Sequence, residues 1–157
     1  MEVADVPAPH RPSSTRRSDR HWDLVLACSV GGILGAWARH GLDVALPHAP
    51  DEFPWSTVII NASGCFAIGM LMVVLLDLTA PHRLVRPFLG VGVLGGYTTY
   101  STFAVDAEQL VLHHRPWMAV AYLVMTVTVC LLAVWLSTQL TTGVVRARHR
   151  RADGRHK

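Results

Sequence analysis

Apolar side chains fall in four long runs, from Leu24 to about Leu46, Trp55 to Leu78, Leu84 to about Leu112 and Trp117 to Leu140. Each approaches the roughly 20 residues that a helix needs to cross hydrocarbon. The polar stretches between them are short, so the pattern predicts one all-α, four-helix membrane domain over residues 23–141. Local signals agree with these limits. Pro54, preceded by Asp51 and Glu52, suits the first turn of the second helix, and Pro116 opens the fourth, because a missing N–H costs nothing at a helix start. Trp22, Trp55 and Trp117 stand at predicted ends and Trp135 near the last one, where an indole prefers the headgroup layer. Residues 1–22 are rich in Pro, Ser and Arg and lack a signal peptide's apolar segment; they predict a disordered tail. Residues 142–157 form a second basic tail.

The third run is interrupted. Gly95 and Gly96 precede an unbroken series of hydroxyl side chains, Tyr97-Thr98-Thr99-Tyr100-Ser101-Thr102, followed by Phe103. Paired glycines favour non-helical backbone, and in a bilayer freed backbone groups persist only where protein buries them or where they line a polar cavity. A broken third helix is therefore expected here, and with it the functional site. Elsewhere glycines recur four apart, as Gly31 with Gly35 and Gly92 with Gly96, a spacing that lets helices approach closely in lipid.

Composition narrows the class. At 51% apolar and 16% charged over 157 residues, the chain is too greasy and too short for a large soluble domain. Charge placement adds a topology. Of the 14 Lys and Arg, twelve lie in the N-terminal tail, the second connection and the C-terminal tail. The third connection holds only Arg115, the first holds none, and Arg39 lies in or at the edge of the first run. The positive-inside rule puts both termini in the cytoplasm of a multi-pass plasma-membrane protein. The basic tails read as topology signals or lipid contacts, since no module or aromatic interleaving supports nucleic-acid binding.

Polar groups inside the runs suit an anion. Asn61 offers amide donors, Thr57, Ser101 and Thr102 offer hydroxyls, Arg39 offers fixed positive charge, and no Asp or Glu occupies the middle of a predicted span. Tyr100 and Phe103, three apart, share a face and can present positive ring edges. Tyr122 and Thr126, four apart, either extend the donor track or point into the bundle. Arg39 is either a vestibule charge or a snorkelling anchor. Asp106 and Glu108 are expected to face water or a helix partner. Cys28, Cys65 and Cys130 lie within spans without metal or disulfide spacing. The nine histidines fall almost all in tails and loops, without an H-E-x-x-H or nucleophile motif, which leaves a membrane enzyme without machinery. A proton-coupled cation exporter would need an embedded carboxylate.

Three segments resemble motifs of the CrcB/Fluc family of fluoride channels: Gly31-Gly32-Ile33-Leu34-Gly35-Ala36-Trp37-Ala38-Arg39, Thr57 through Phe66, and Gly95 through Phe103. The resemblance covers roughly Leu24 to Leu140. It implies passive export of fluoride by an antiparallel, dual-topology dimer, with a structural Na⁺ held at its centre by backbone carbonyls matching Gly95 and Thr98. Two such carbonyls from each of two subunits make four oxygen ligands, as a hard cation requires. The implied fluoride pathway runs along Phe103, Asn61, Ser101 and Thr102, with Arg39 at a vestibule. Tyr100 stands where Phe is common and Asp106 where Glu is common. An antiparallel homodimer needs a weak charge bias, whereas twelve against one predicts a single orientation. The expectation is a heterodimer with an oppositely oriented paralogue, the homodimer being the alternative.

Overall fold

The structure is a computed structural model describing residues 15–77 and 83–153. It is all-helical, with α1 (Thr15–Ala45), α2 (Trp55–Asp77), a π-helix (Arg86–Leu94), a single turn α3 (Gly95–Tyr97), α4 (Ser101–Leu112) and α5 (Pro116–Asp153). Among the described residues, α1, α2 and α5 are each long and apolar enough to cross a membrane. The third apolar run is delivered in pieces.

Side-chain distribution is that of a protein immersed in lipid. Val58, Ile60, Leu110, Ala119 and Tyr122 make up the buried apolar core among the described residues, whereas Trp37, Leu76 and Trp117 are 79%, 87% and 84% exposed. Water does not tolerate such a surface on a monomer, but hydrocarbon does.

Helix ends follow local chemistry. α1 stops two residues before Pro47, and α2 starts directly after Pro54, whose carbonyl accepts the Val58 N–H at 3.3 Å. α4 ends in a Schellman turn. His114 takes φ 60° there, the Arg115 N–H bonds the Leu110 carbonyl at 2.8 Å, and the His114 N–H bonds the Val111 carbonyl at 3.0 Å. Pro116 then opens α5 as expected. Two limits differ from the sequence reading. α1 begins at Thr15, inside the segment expected as a tail, because residues 15–22 contain no Gly or Pro to stop a helix. α5 runs 38 residues, about 57 Å, well past residue 141 and past the roughly 30 Å of hydrocarbon, since Gly143 alone does not break it. Residues 1–14, 78–82 and 154–157 of the expected tails and second connection lie outside the described residues.

The glycine spacing does what lipid packing requires. α1 lies against the π-helix and α3, and α2 against α5. A methyl on Gly31 would meet the Phe88 carbonyl oxygen at 2.5 Å, and one on Gly92 the Cys28 carbonyl oxygen at 2.9 Å. Methyls on Gly35 and Gly96 would overlap the Val93 and Gly32 carbonyl oxygens outright. These four glycines form one seam of backbone-to-backbone contact. Contacts of carboxylates with Arg or His mark the two ends of the bundle. Asp23 with Arg83, and Asp77 with His149 at 2.7 Å, lie at one end. Asp51 with Arg115 at 3.6 Å, and His48 with Asp106 at 3.7 Å, lie at the other.

Candidate functional site: the break in the third segment

The paired glycines are not the break. Gly95 has helical φ −66° and ψ −33°, and helical backbone continues through Tyr97; the chain turns extended only at Thr98, with ψ 154°. The expectation of non-helical glycines is therefore corrected. Gly96 is needed for close approach to α1, and the interruption falls on the hydroxyl residues Thr98 to Tyr100.

Asn61, two turns into α2, holds that interruption open. Its amide N–H donates to the Thr99 carbonyl at 2.9 Å, and its amide oxygen accepts the Thr99 N–H at 2.9 Å. A side-chain amide thus replaces the helical partners that Thr99 has lost. The Thr99 hydroxyl accepts the Thr102 N–H at 3.1 Å, capping the start of α4, and donates to the Thr102 hydroxyl at 3.0 Å. In an unbroken helix the N–H groups of Thr99 and Thr102 would point at the carbonyls of Gly95 and Thr98. Both are redirected, and Gly95 and Thr98 border a cavity of about 470 Å³.

That cavity is bounded by α2, the break and α5, and Asn61, Tyr100, Phe103 and Thr126 also line it. Gly64 lets α2 close on the break: a methyl there would overlap the Thr98 methyl and meet the Tyr97 ring at 3.3 Å. Tyr97 donates its hydroxyl to Ser63 at 2.8 Å, since the Ser63 proton goes to the Ile59 carbonyl at 2.6 Å. Tyr100 is 80% exposed and Ser101 also lies at the surface. Arg39 is half-buried six residues before the end of α1.

An aromatic row leads away from the cavity. Tyr100 and Phe103 have centroids 6.1 Å apart, Phe103 and Tyr122 5.2 Å, and Phe53 meets Tyr122 edge-on at 5.7 Å. Tyr122 is fully buried and points into the bundle, where its hydroxyl donates to Asp106 at 3.3 Å. The Thr126 hydroxyl donates to the Tyr122 carbonyl at 2.7 Å. Thr57, fully buried, donates to the same Asp106 oxygen at 2.6 Å. Of the two surroundings expected for Asp106, water or a helix partner, it takes the second.

The chain matches the model of a CrcB-like protein, Camphor Resistance (CrcB), over residues 26–138. It belongs to the CrcB family. It is 41% identical over 150 residues to a protein of Streptomyces coelicolor named fluoride-specific ion channel FluC 1, covering 91% of this chain and 97% of that one. Against FluC 2 of Nocardia farcinica it is 42% identical over 126 residues, covering 78% and 90%. Against FluC 2 of Streptomyces avermitilis it is 45% identical over 118 residues, covering 74% and 75%. The CrcB match takes in α2, the break, α4 and the apolar part of α5, so every residue of the aromatic row and of the Asn61 clamp lies within it.

Sequence reasoning singled out neither Thr99 nor His48, and it left Asp106 between water and a helix partner. Thr99 was indistinguishable from its hydroxyl neighbours, although it alone is both clamped by Asn61 and caps α4. His48 lies in a connection and carried no motif. Asp106 did carry a signal, because it falls three residues after Phe103 and four before Leu110, on the face that α4 buries.

Proposed function

We propose that this chain is a fluoride-specific channel that lets the anion leave the cytoplasm passively, and that it works as an antiparallel dimer. The observation that carries the reading is the Asn61 clamp, which keeps an interrupted helix ordered beside a cavity within a chain about 40% identical to FluC channels over most of its length. An interruption held by two hydrogen bonds from a neighbouring helix is a built feature rather than a frayed end. A membrane potential, negative inside, supplies about 2.3 kcal/mol per unit charge per 100 mV in the outward direction. No chemical energy source is required.

Fluoride is small and strongly hydrated, so passage requires donors that replace water. Asn61 spends one amide N–H on Thr99 and has a second. Thr102 receives the Thr99 proton and so has its own to offer, whereas Ser101, 3.3 Å from the same Thr99 oxygen, directs its proton there and would have to give up that hydrogen bond to an ion. Phe103 and Tyr100 contribute ring edges, which attract an anion without trapping it. Tyr122 and Thr126 already hold acceptors, so an ion passing them takes over an existing hydrogen bond. Arg39 raises the local anion concentration at a vestibule.

The residues at the break also fit a structural Na⁺. The carbonyls of Gly95 and Thr98 have lost their helical donors, both residues border the cavity, and hard oxygen donors are what Na⁺ requires. Bound between two subunits, the ion would supply the positive charge that ties one break to the other. With twelve Lys and Arg against one on opposite sides of the predicted bundle, the reading favours a heterodimer with an oppositely oriented paralogue over a homodimer. Accessibility labelling of tags at both termini is expected to report a single orientation; an even mixture removes the heterodimer.

Fluoride efflux from liposomes, with the chain alone and with a candidate partner, tests the main reading with a fluoride electrode. Release of fluoride but not chloride is expected. Replacing Phe103 by Ile keeps most of the bulk and removes the ring edge, and a fall of about two- to tenfold is expected, the scale of one lost edge-on aromatic contact. Undiminished flux in that variant excludes the aromatic route.

A further inference from the structure

The cluster around Asp106 ends at a histidine that the pathway just described does not use. His48 sits in the connection between α1 and α2, with Nε2 3.7 Å from Asp106 Oδ1 and Nδ1 3.4 Å from the Ser56 hydroxyl. The other carboxylate oxygen, Oδ2, is taken by Thr57 and Tyr122. Asp106 is 11% exposed and His48 24%, and both border a cavity of about 130 Å³ together with Glu52, Pro54 and Gln109. Asp106, on the rim of this small cavity, accepts the Tyr122 hydroxyl, and the Tyr122 ring packs against Phe103 of the aromatic row.

An anion that follows the row therefore meets a carboxylate with little water around it, and like charges at short range oppose each other strongly where solvent is sparse. His48 faces the oxygen that no hydroxyl of the described residues occupies. Histidine is the side chain that ordinarily changes charge between pH 5 and 8. In the imidazolium form both ring nitrogens donate, one toward Asp106 and one toward Ser56, and both positions offer acceptors.

We propose that His48 is a positioning residue for anion passage: its protonation draws and offsets the Asp106 carboxylate, lowering the barrier at this mouth so that fluoride flux rises as pH falls. The proposal rests on the reading of the chain as a fluoride channel. Groups facing His48 from the surrounding elements leave it as the switch. Glu52, on the same connection, has its carboxylate engaged by the Ala49 N–H at 3.0 Å, and α2 contributes only the hydroxyls of Ser56 and Thr57. α4 adds Asp106 and the neutral Gln109, α5 adds Tyr122 through Asp106, and the exposed Arg115 is paired with Asp51. Acid surroundings are also where fluoride enters cells fastest, as neutral hydrogen fluoride, so a mouth that opens with acid matches flux to load.

The test is fluoride efflux from proteoliposomes held at equal pH on both sides, from about pH 8 to about pH 5.5, with leak from protein-free vesicles subtracted. Flux per channel is expected to rise about threefold as pH falls, the scale of a partly exposed ion pair. His48→Gln is expected to be flat at the low level, His48→Arg flat at the high level, and Asp106→Asn to lose the slope. A flat profile in the unaltered chain, or a His48→Gln profile that parallels it, overturns the proposal. Should the Gln variant fail to fold, the unaltered profile and His48→Arg decide. Absence of fluoride flux at every pH overturns the channel reading instead, so the two failures are distinguishable.

Discussion

Asn61→Ala is expected to abolish fluoride efflux, to about 1% of the unaltered chain or less, while leaving the helices themselves present. The substitution removes both partners of the Thr99 backbone, whose N–H and carbonyl each sit 2.9 Å from the Asn61 amide. Thr99 is 7% exposed, so water does not replace them readily. A buried backbone group left without a partner costs about 1–3 kcal/mol, and two are lost at once. The break is then free to close into a helix or to wander, and either movement returns helical donors to the Gly95 and Thr98 carbonyls or shifts these residues from the cavity they border. Asn61→Asp separates geometry from chemistry. It keeps an acceptor for the Thr99 N–H and sets a carboxylate against the Thr99 carbonyl, so it too is expected to fail. Efflux from liposomes reads both variants, with elution as a single peak in detergent as the check on folding. Flux within threefold of the unaltered chain in Asn61→Ala would show that the clamp is dispensable.

Gly35→Ala is expected to cost about 1–3 kcal/mol, the usual penalty of overpacking a filled interface, whereas Gly32→Ala is expected to be neutral or slightly stabilising. The chemistry is the same and the positions are three residues apart on α1. An added methyl on Gly35 overlaps the Val93 carbonyl oxygen and lies 2.8 Å from the Tyr97 nitrogen; on Gly32 it meets nothing within 4 Å. Both obstacles at Gly35 are backbone, so no rotamer change relieves them and α1 must move away from the π-helix and α3. At Gly32 the methyl gains helix propensity worth up to about 1 kcal/mol. Thermal denaturation followed by loss of the monodisperse peak compares the two, and equal shifts would remove the seam from the account.

The two variants probe different layers of one arrangement. The glycine seam presses α1 against the π-helix and α3 and so fixes where the third segment arrives. Asn61 determines what it does on arrival. The π-helix contributes to this. Its wider turn displaces the backbone register just before the break, and the Leu94 carbonyl at its end accepts both the Thr98 N–H at 3.0 Å and the Thr98 hydroxyl at 2.9 Å. That double acceptance ends the helical ladder one residue before Asn61 takes over.

Much of this was legible in the residues because it depends on local quantities. The limits of α2 and the start of α5 followed from hydropathy, Pro54 and Pro116, and the third segment's interruption followed from the hydroxyl run. Its location was off by about one turn. The paired glycines looked like the break, and although the four-residue spacing already pointed to close helix approach at Gly96, only packing against α1 showed that its partner there is Gly32. The resemblance to CrcB motifs rested on the same local strings and held across residues 26–138.

What sequence determined by itself, then, was the three long apolar helices α1, α2 and α5, the presence of one interruption in the remaining apolar run and the family, because hydropathy, proline geometry and short motifs act within a few residues. What only tertiary structure decided was which partner each polar group serves. Asn61 could have faced an ion, a lipid or another helix, and it is aimed at Thr99, 38 positions away. Asp106 could have faced water, and it is enclosed by Thr57, Tyr122 and His48 from two other helices and a connection. Hydrogen bonds are short and directional, so their pairing is set by how helices dock, and docking here was set by where glycines let backbones touch.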